Sequence, residues 1–185
     1  MGLFVAVPLP DAALVEAGAI LAGFRSLEWP VRWVRPDGLH ITLKFFGEVA
    51  SERLDTITEM VGFAVAGMPA LRLSLASVGA FPNLTHPRVI RLDLAGQTSG
   101  LELLQDRIER GGLGIDFPPE GRPFHPHITL GRVKEGLRLP REAGTIMRQV
   151  ATGSEFAADK VVVYESHQTP SGPAYDPRAQ LPLVP

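Results

Sequence analysis

The segment GLHITLKFFG at residues 38–47 has a counterpart later in the chain, FHPHITLGRV at residues 124–133. Both contain the tetrapeptide HITL, which begins with one of the five histidines, and the two copies lie 87 positions apart, close to half of the chain. Polar and apolar residues alternate in each copy, as is typical of a β-strand with one buried face. The repeat therefore predicts two similar lobes, each containing this strand.

Successive side chains on a strand point to opposite faces, so the histidine and the threonine two residues later share a face. His40 and Thr42 form one such pair, and His127 and Thr129 form the other. The isoleucines and leucines between them would fill the core. If the two strands lie side by side or across a cleft, we expect two imidazoles and two hydroxyls to converge.

Two histidines and two hydroxyls suit the in-line cleavage of a phosphodiester. Because the unperturbed pKa of histidine is near neutrality, one imidazole can act as a base while the other acts as an acid. Hydroxyls can bind the non-bridging oxygens of the phosphate, and this chemistry requires no metal. Two other interpretations remain at this point: histidines that only hydrogen-bond to neighbouring hydroxyls, and a metal site formed by His40, His127 and a carboxylate.

Composition limits the classes of function. The chain has 185 residues, of which 45% are hydrophobic, enough to fill the core of one domain. A net charge of −2 argues against a protein that coats long nucleic acids, but it allows a pocket for one phosphate. The absence of cysteine excludes disulfides and thiol nucleophiles and fits a cytoplasmic location. No export signal or membrane span is evident, so we expect a cytoplasmic protein without a membrane partner.

The elements predicted from the sequence alternate between strands and helices. Predicted strands cover residues 3–9, 32–34, 39–46, 70–81, 88–94, 127–133 and 156–168. Predicted helices begin near Asp11, Ser51 and Ser99. The Pro- and Gly-rich tail after Gln168 is expected to form a loop and one short edge strand. This interleaving predicts an α+β fold of two lobes that share one core, with helices on the outer faces of the sheets.

Four stretches carry a resemblance to a known family: LFVAVPLP (3–10), VRWVRPDGLHITLKFFGEV (31–49), RPFHPHITLGR (122–132) and VVVYESHQTPSGPAY (161–175). They resemble the two-histidine (2H) phosphoesterase superfamily and, within it, the LigT/ThpR-like RNA 2′,3′-cyclic phosphodiesterases, with their HxTx motifs. The resemblance implies a bilobal, pseudo-two-fold duplicated LigT-like fold, in which two antiparallel sheets line a central groove. Residues 1–185 would then be a single 2H phosphoesterase domain of two intertwined lobes.

The resemblance also implies an activity. It is the metal-independent hydrolysis, without a cofactor, of a terminal 2′,3′-cyclic phosphate to a 2′-phosphate, together with reversible 2′-5′ RNA ligation. The implied partners are RNA 3′ ends, such as those of tRNA halves, or nucleotides with a cyclic phosphate, and a monomer is expected. A binding module without turnover and a metal-dependent phosphohydrolase are the alternatives.

The resemblance assigns roles that the symmetric pattern leaves open. His40 would be the proton donor to the departing 3′ oxygen, and His127 would be the acceptor that activates water. Thr42 and Thr129 would bind the phosphate, and Arg132 would add a fixed cation. Strand parity places Arg132 opposite His127, so its role requires the strand to end or bulge between them.

Further candidates follow from parity and position. Lys44 and Phe46 share strand parity with His40, so they would add positive potential and a surface for base stacking. Phe124 is a second stacking candidate. Tyr175 fits a packed tail, and no catalytic role is assigned to it.

Overall fold

The computed structural model describes residues 1–185 and contains nine strands and four α-helices. The strands are β1 (Gly2–Pro8), β2 (Val31–Trp33), β3 (His40–Glu48), β4 (Leu71–Phe81), β5 (Val89–Gly96), β6 (His127–Val133), β7 (Glu155–Ala158), β8 (Lys160–Thr169) and β9 (Gly172–Pro182). The helices are α1 (Asp11–Arg25), α2 (Leu54–Val65), α3 (Thr98–Gly114) and α4 (Ala143–Arg148). None of these helices has the length and apolar character that crossing a bilayer requires.

All strands belong to one antiparallel sheet with the order β7-β4-β5-β6-β3-β1-β8-β9, and β2 pairs with β6. The two halves of the sheet meet at a single residue pair, Ile41 of β3 with Ile128 of β6. The two predicted antiparallel sheets are therefore the halves of one nine-stranded sheet, and the predicted α+β fold is confirmed. Because only one pair joins them, β3 and β6 separate on either side of this crossing.

The core is one cluster of 38 buried residues that spans both halves of the sheet. The apolar residues of the two HITL copies lie in it: Ile41 and Ile128 are both 0% exposed, and Leu43 and Leu130 are 3% and 0% exposed. The face assigned to the core from the repeat is therefore confirmed. Each such side chain contributes about 1.5–3 kcal/mol by leaving water.

Each HITL strand contains a β-bulge at its leucine. The register of β3 against β1 shifts between Thr42 and Lys44, which leaves Leu43 as an extra residue. The register of β6 against β5 shifts in the same way and leaves Leu130 as an extra residue. An inserted residue reverses the alternation of faces beyond it. Strand parity counted from the histidine is therefore inverted after the fourth residue of each copy.

The C-terminal third of the chain differs most from the prediction. The strand predicted at 156–168 is two strands, β7 and β8, which lie in opposite halves of the sheet. The tail forms β9, an eleven-residue edge strand paired with β8, instead of a short one. Its prolines, at positions 173, 177 and 182, are tolerated because an edge strand has unpaired N–H positions on its outer side. The sequence pattern also gave no sign of α4.

Candidate active site

His40, Thr42, His127 and Thr129, which we call the quartet, lie at the crossing of β3 and β6. Because the strands are antiparallel at this crossing, His40 lies on the side of Thr129, and Thr42 lies on the side of His127. All four side chains are partly buried. The crossing therefore places the two histidine–threonine pairs next to each other in the sheet.

The two imidazoles are held in the same way. The His40 Nδ1–H donates to the carbonyl of Gly38 at 2.7 Å, and the His127 Nδ1–H donates to the carbonyl of His125 at 2.6 Å. These carbonyls occupy equivalent positions in the two copies, two residues before each histidine. Each bond keeps the proton of the neutral ring on Nδ1, so Nε2 is the nitrogen left for proton transfer.

The two Nε2 atoms differ in their surroundings. His40 Nε2 lies 2.9 Å from the Thr42 hydroxyl, which donates to it when the ring is neutral. His127 Nε2 forms no hydrogen bond with the protein. The structure therefore breaks the near-symmetry of the repeat, because only His127 presents an unoccupied basic nitrogen.

Aromatic rings pack against both histidines. The His40 ring centroid lies 5.0 Å from that of Phe4 and 5.3 Å from that of Tyr175, the latter in a perpendicular arrangement. The His127 ring packs against Phe81 with the centroids 5.0 Å apart and the planes 78° apart. Tyr175, expected to be part of a packed tail, thus lies beside a candidate catalytic group. Its place on β9, far along the chain, gave no local signal of this.

The pKa values of both histidines are lowered. Burial is the main cause for His40, and repulsion from His127 adds to it. Burial also dominates for His127, and the positive charges of His125 and Arg91 lower its pKa further. Both imidazoles therefore favour the neutral form more than free histidine does.

A short network lies beside the second histidine and joins Arg91 and Asp93 of β5 to His125, which precedes β6. The Asp93 carboxylate accepts hydrogen bonds from His125 Nε2 at 3.0 Å and from Arg91 Nε at 2.8 Å. Asp93 also pairs with His127 across β5 and β6. The network holds the side chain of His125, the residue whose carbonyl accepts the hydrogen bond from His127. No cluster of three or more His, Asp or Glu side chains is arranged to hold a metal ion.

The expectation that Lys44 and Phe46 face the groove is wrong, because the bulge at Leu43 inverts parity before them. The side chain of Lys44 is 1% exposed, and its Nζ donates to the Glu109 carboxylate at 2.8 Å. Phe46 is buried in the core cluster. Neither side chain is directed at the quartet.

The inverted parity brings two other side chains to the groove. Phe45 takes the position expected of Phe46: it is 56% exposed, and its ring lies 5.7 Å from that of Phe4. In β6 the matching bulge moves Arg132 to the face of His127, where it is exposed, so the bulge required for its role is present. Phe124 is partly buried against the core cluster.

Lys44 and Glu109 join β3 to α3, and we expect this buried pair to be structural. Lys44→Met should lower the free energy of unfolding by about 3–5 kcal/mol, because it leaves the Glu109 carboxylate buried without its cation. Urea unfolding would measure the change. Adding Glu109→Leu to Lys44→Met should recover part of the loss. The exposed control Lys134→Met should stay within about 0.5 kcal/mol of the parent, and an unchanged stability of Lys44→Met would contradict the assignment.

The chain matches a family model and several curated relatives over most of its length. A family model described as the 2′-5′ RNA ligase superfamily matches residues 13–170. An RNA 2′,3′-cyclic phosphodiesterase of Methanothermobacter thermautotrophicus is 32% identical over 174 residues, which is 93% of each chain. An RNA 2′,3′-cyclic phosphodiesterase of Thermus thermophilus is 35% identical over 184 residues, 95% of this chain and 86% of the relative.

Solved structures share the whole fold. A crystal structure of a Thermus thermophilus protein has a TM-score of 0.83 with 26% identity, and the match covers 99% of this chain and 98% of that one. The crystal structure of E. coli LigT complexed with 3′-AMP has a TM-score of 0.76 with 26% identity, and the match covers 100% of this chain and 98% of that one. The LigT-like fold is thus shown by structures as well as by sequence.

Proposed function

Because the chain belongs to the 2′-5′ RNA ligase superfamily, we propose that it hydrolyses terminal 2′,3′-cyclic phosphates of RNA or nucleotides to 2′-phosphates. Two histidines act as acid and base, and neither a metal nor a cofactor takes part. The observation that carries the proposal is the quartet, in which two imidazoles and two hydroxyls flank one strand crossing. The names of the relatives and the 3′-AMP complex of LigT support the substrate class.

In the proposed reaction, His127 is the base. Its Nε2, which has no hydrogen-bond partner in the protein, removes a proton from water as the water oxygen forms a bond to phosphorus. Protonated His40 gives its Nε2 proton to the 3′ oxygen as the bond between phosphorus and that oxygen breaks, which leaves the 2′-phosphate. The unoccupied Nε2 of His127 and the hydroxyl contact of His40 favour this assignment over the reverse one.

The developing charge on the phosphate requires donors. We assign this role to the hydroxyls of Thr42 and Thr129 and to the guanidinium of Arg132. Phe45 replaces Phe46 as the candidate for stacking on the terminal base. In the related ligation a 5′-hydroxyl would take the place of water, so that a 2′-5′ linkage forms instead of a 2′-phosphate.

The lowered pKa values predict an acidic pH optimum for kcat/KM, which reports the ionisations of the free enzyme. The acid must be protonated, and a lowered pKa means that this form is lost at a lower pH than for free histidine. The base must be deprotonated, and its lowered pKa keeps it deprotonated to a lower pH than free histidine. We therefore expect a bell-shaped profile with its maximum below about 6.5, the ordinary pKa of histidine. Measurement on a cyclic mononucleotide across the range from acidic to mildly alkaline pH checks this, and a maximum on the alkaline side of neutrality would contradict it.

The deciding experiment incubates the purified protein with adenosine and guanosine 2′,3′-cyclic phosphates and with a tRNA half that ends in a cyclic phosphate. We expect a 2′-phosphate product and a rate that EDTA does not reduce. A 3′-phosphate product would overturn the assignment of acid and base. Loss of activity in EDTA would favour a metal-dependent phosphohydrolase, and tight binding without any turnover would favour an RNA-end or nucleotide-binding module.

We also propose that residues 1–185 form a single domain of two intertwined lobes. One core cluster includes apolar residues of both halves of the sheet, which supports this. A single cooperative unfolding transition in urea, followed by circular dichroism and by tryptophan fluorescence, is the expected result. Two separated transitions would contradict it.

A further inference from the structure

A cavity that we call the arginine cavity lies away from the quartet. It has a volume of about 520 Å³ and opens between the turn that joins β4 to β5, residues 84–88, and the segment 137–148 that contains α4. Four arginines line it, Arg88, Arg138, Arg141 and Arg148, and the other polar residues of the lining are His86, Thr85 and Thr145. No Asp or Glu is part of the lining, although Glu142 is adjacent in sequence.

The arginines of this cavity have no carboxylate partners. The ion-paired arginines of this protein are others, at positions 35, 91, 110 and 178. The one side-chain hydrogen bond formed by the four cavity arginines is a long one, from Arg148 to the Thr145 hydroxyl at 3.5 Å. Their guanidinium groups are therefore available to an external anion.

The concentration of charge is unusual for this chain. Four of its 18 Lys and Arg residues line one cavity, while the net charge of the protein is −2. Like charges in one concave site repel each other, and an anion that binds there relieves this repulsion. Arginine presents a planar fork of N–H donors that matches a phosphate. The ligand class that fits is thus a phosphate-bearing polyanion.

The position of the cavity relates it to the groove. Arg132 on β6 pairs with Val89 on β5, and the next residue, Val133, donates its N–H to the carbonyl of Arg88 at 2.8 Å. The cavity therefore begins one residue beyond Arg132. At about 3.3 Å per residue, Arg88 lies roughly 15–20 Å along the strands from His127. The helix α4 that borders the cavity packs on the core face of the sheet through Ala143 and Met147, so an RNA strand that runs past Arg132 would have to turn round the ends of β5 and β6 to reach the cavity.

We propose that the arginine cavity binds backbone phosphates of the RNA substrate, upstream of the cyclic phosphate held by the quartet. The identity of the ligand rests on the proposed function. The cavity would make the protein favour oligonucleotides over mononucleotides. Because contacts to phosphates carry no sequence information, this preference would be for length and not for sequence.

The test is the variant Arg138→Ala/Arg141→Ala, since both residues lie in an irregular loop before α4. Its matched control is Arg107→Ala/Arg110→Ala, which removes the same charge from α3. On a ten-nucleotide RNA with a 2′,3′-cyclic phosphate, the cavity variant should lose at least about tenfold in kcat/KM, mainly through KM. On a cyclic mononucleotide it should match the parent, and the control pair should match the parent on both.

A binding measurement keeps this proposal separate from the proposed function. Fluorescence anisotropy with the same RNA ending in a 2′-phosphate needs no turnover. The cavity variant should bind more weakly, and its slope of log K against log salt should be shallower by about 1.4 for two lost phosphate contacts.

Equal losses on both substrates, an equal loss in the control pair, or an unchanged salt slope would overturn the proposal. So would ATP that binds the cavity without displacing RNA. If no cyclic phosphate is hydrolysed, the proposed function fails, while the salt slope still decides whether the cavity holds RNA.

Discussion

His40→Ala and His127→Ala are each expected to lower kcat/KM for a cyclic mononucleotide by about 10²–10⁴-fold, the range that a positioned acid or base contributes. The double variant should be only slightly worse than either single variant, because the two groups act in one concerted step. The two variants should differ in pH dependence. The residual activity of His127→Ala should no longer fall at acidic pH, because the base is gone. That of His40→Ala should no longer fall at alkaline pH, because the acid is gone.

The matched control for these variants is His167→Ala. His167 lies on β8, is 43% exposed and pairs with Asp176, so its loss should leave kcat/KM unchanged. His40→Gln keeps most of the side-chain volume beside Phe4 and should be as inactive as His40→Ala, which separates lost chemistry from altered packing. Full activity in either single histidine variant would contradict the paired mechanism.

Thr42→Val and Thr129→Val are expected to reduce kcat by about 10²–10³-fold each, the cost of losing one donor to developing charge. Valine keeps the shape of threonine and its place on the strand, so folding should be preserved. Single-turnover rates on a cyclic mononucleotide would separate this effect from binding. Thr42→Val should also move the limb of the pH profile assigned to His40, because its hydroxyl contacts His40 Nε2 at 2.9 Å.

Thr56→Val is the control for the threonine variants, since Thr56 is exposed on α2 and outside the groove. It should retain parental kcat. If Thr42→Val and Thr129→Val raised KM and left kcat unchanged, the hydroxyls would bind ground state and transition state equally. That result would contradict the assignment of transition-state donors.

The limits of prediction are clearest beyond the fourth residue of each HITL copy. Counting alternate residues from His40 selects Lys44 and Phe46, and counting from His127 excludes Arg132. The bulges at Leu43 and Leu130 reverse all three assignments. A bulge is set by how a strand pairs with its neighbour, and nothing within either copy specifies it. Tyr175 and Asp93 were missed for a related reason, since each reaches a histidine from a distant strand.

The sequence by itself determined the period of each strand, the apolar face that forms the core and the identity of the four polar groups on the opposite face. These follow from local alternation, because a strand with one apolar face can bury only that face. Tertiary structure alone decided which groups surround them: the bulges that present Phe45 and Arg132, the aromatic rings beside His40, and the four arginines gathered in one cavity. Contacts between residues far apart in the chain depend on the pairing of strands, and the free energy that selects a pairing is a property of the whole fold.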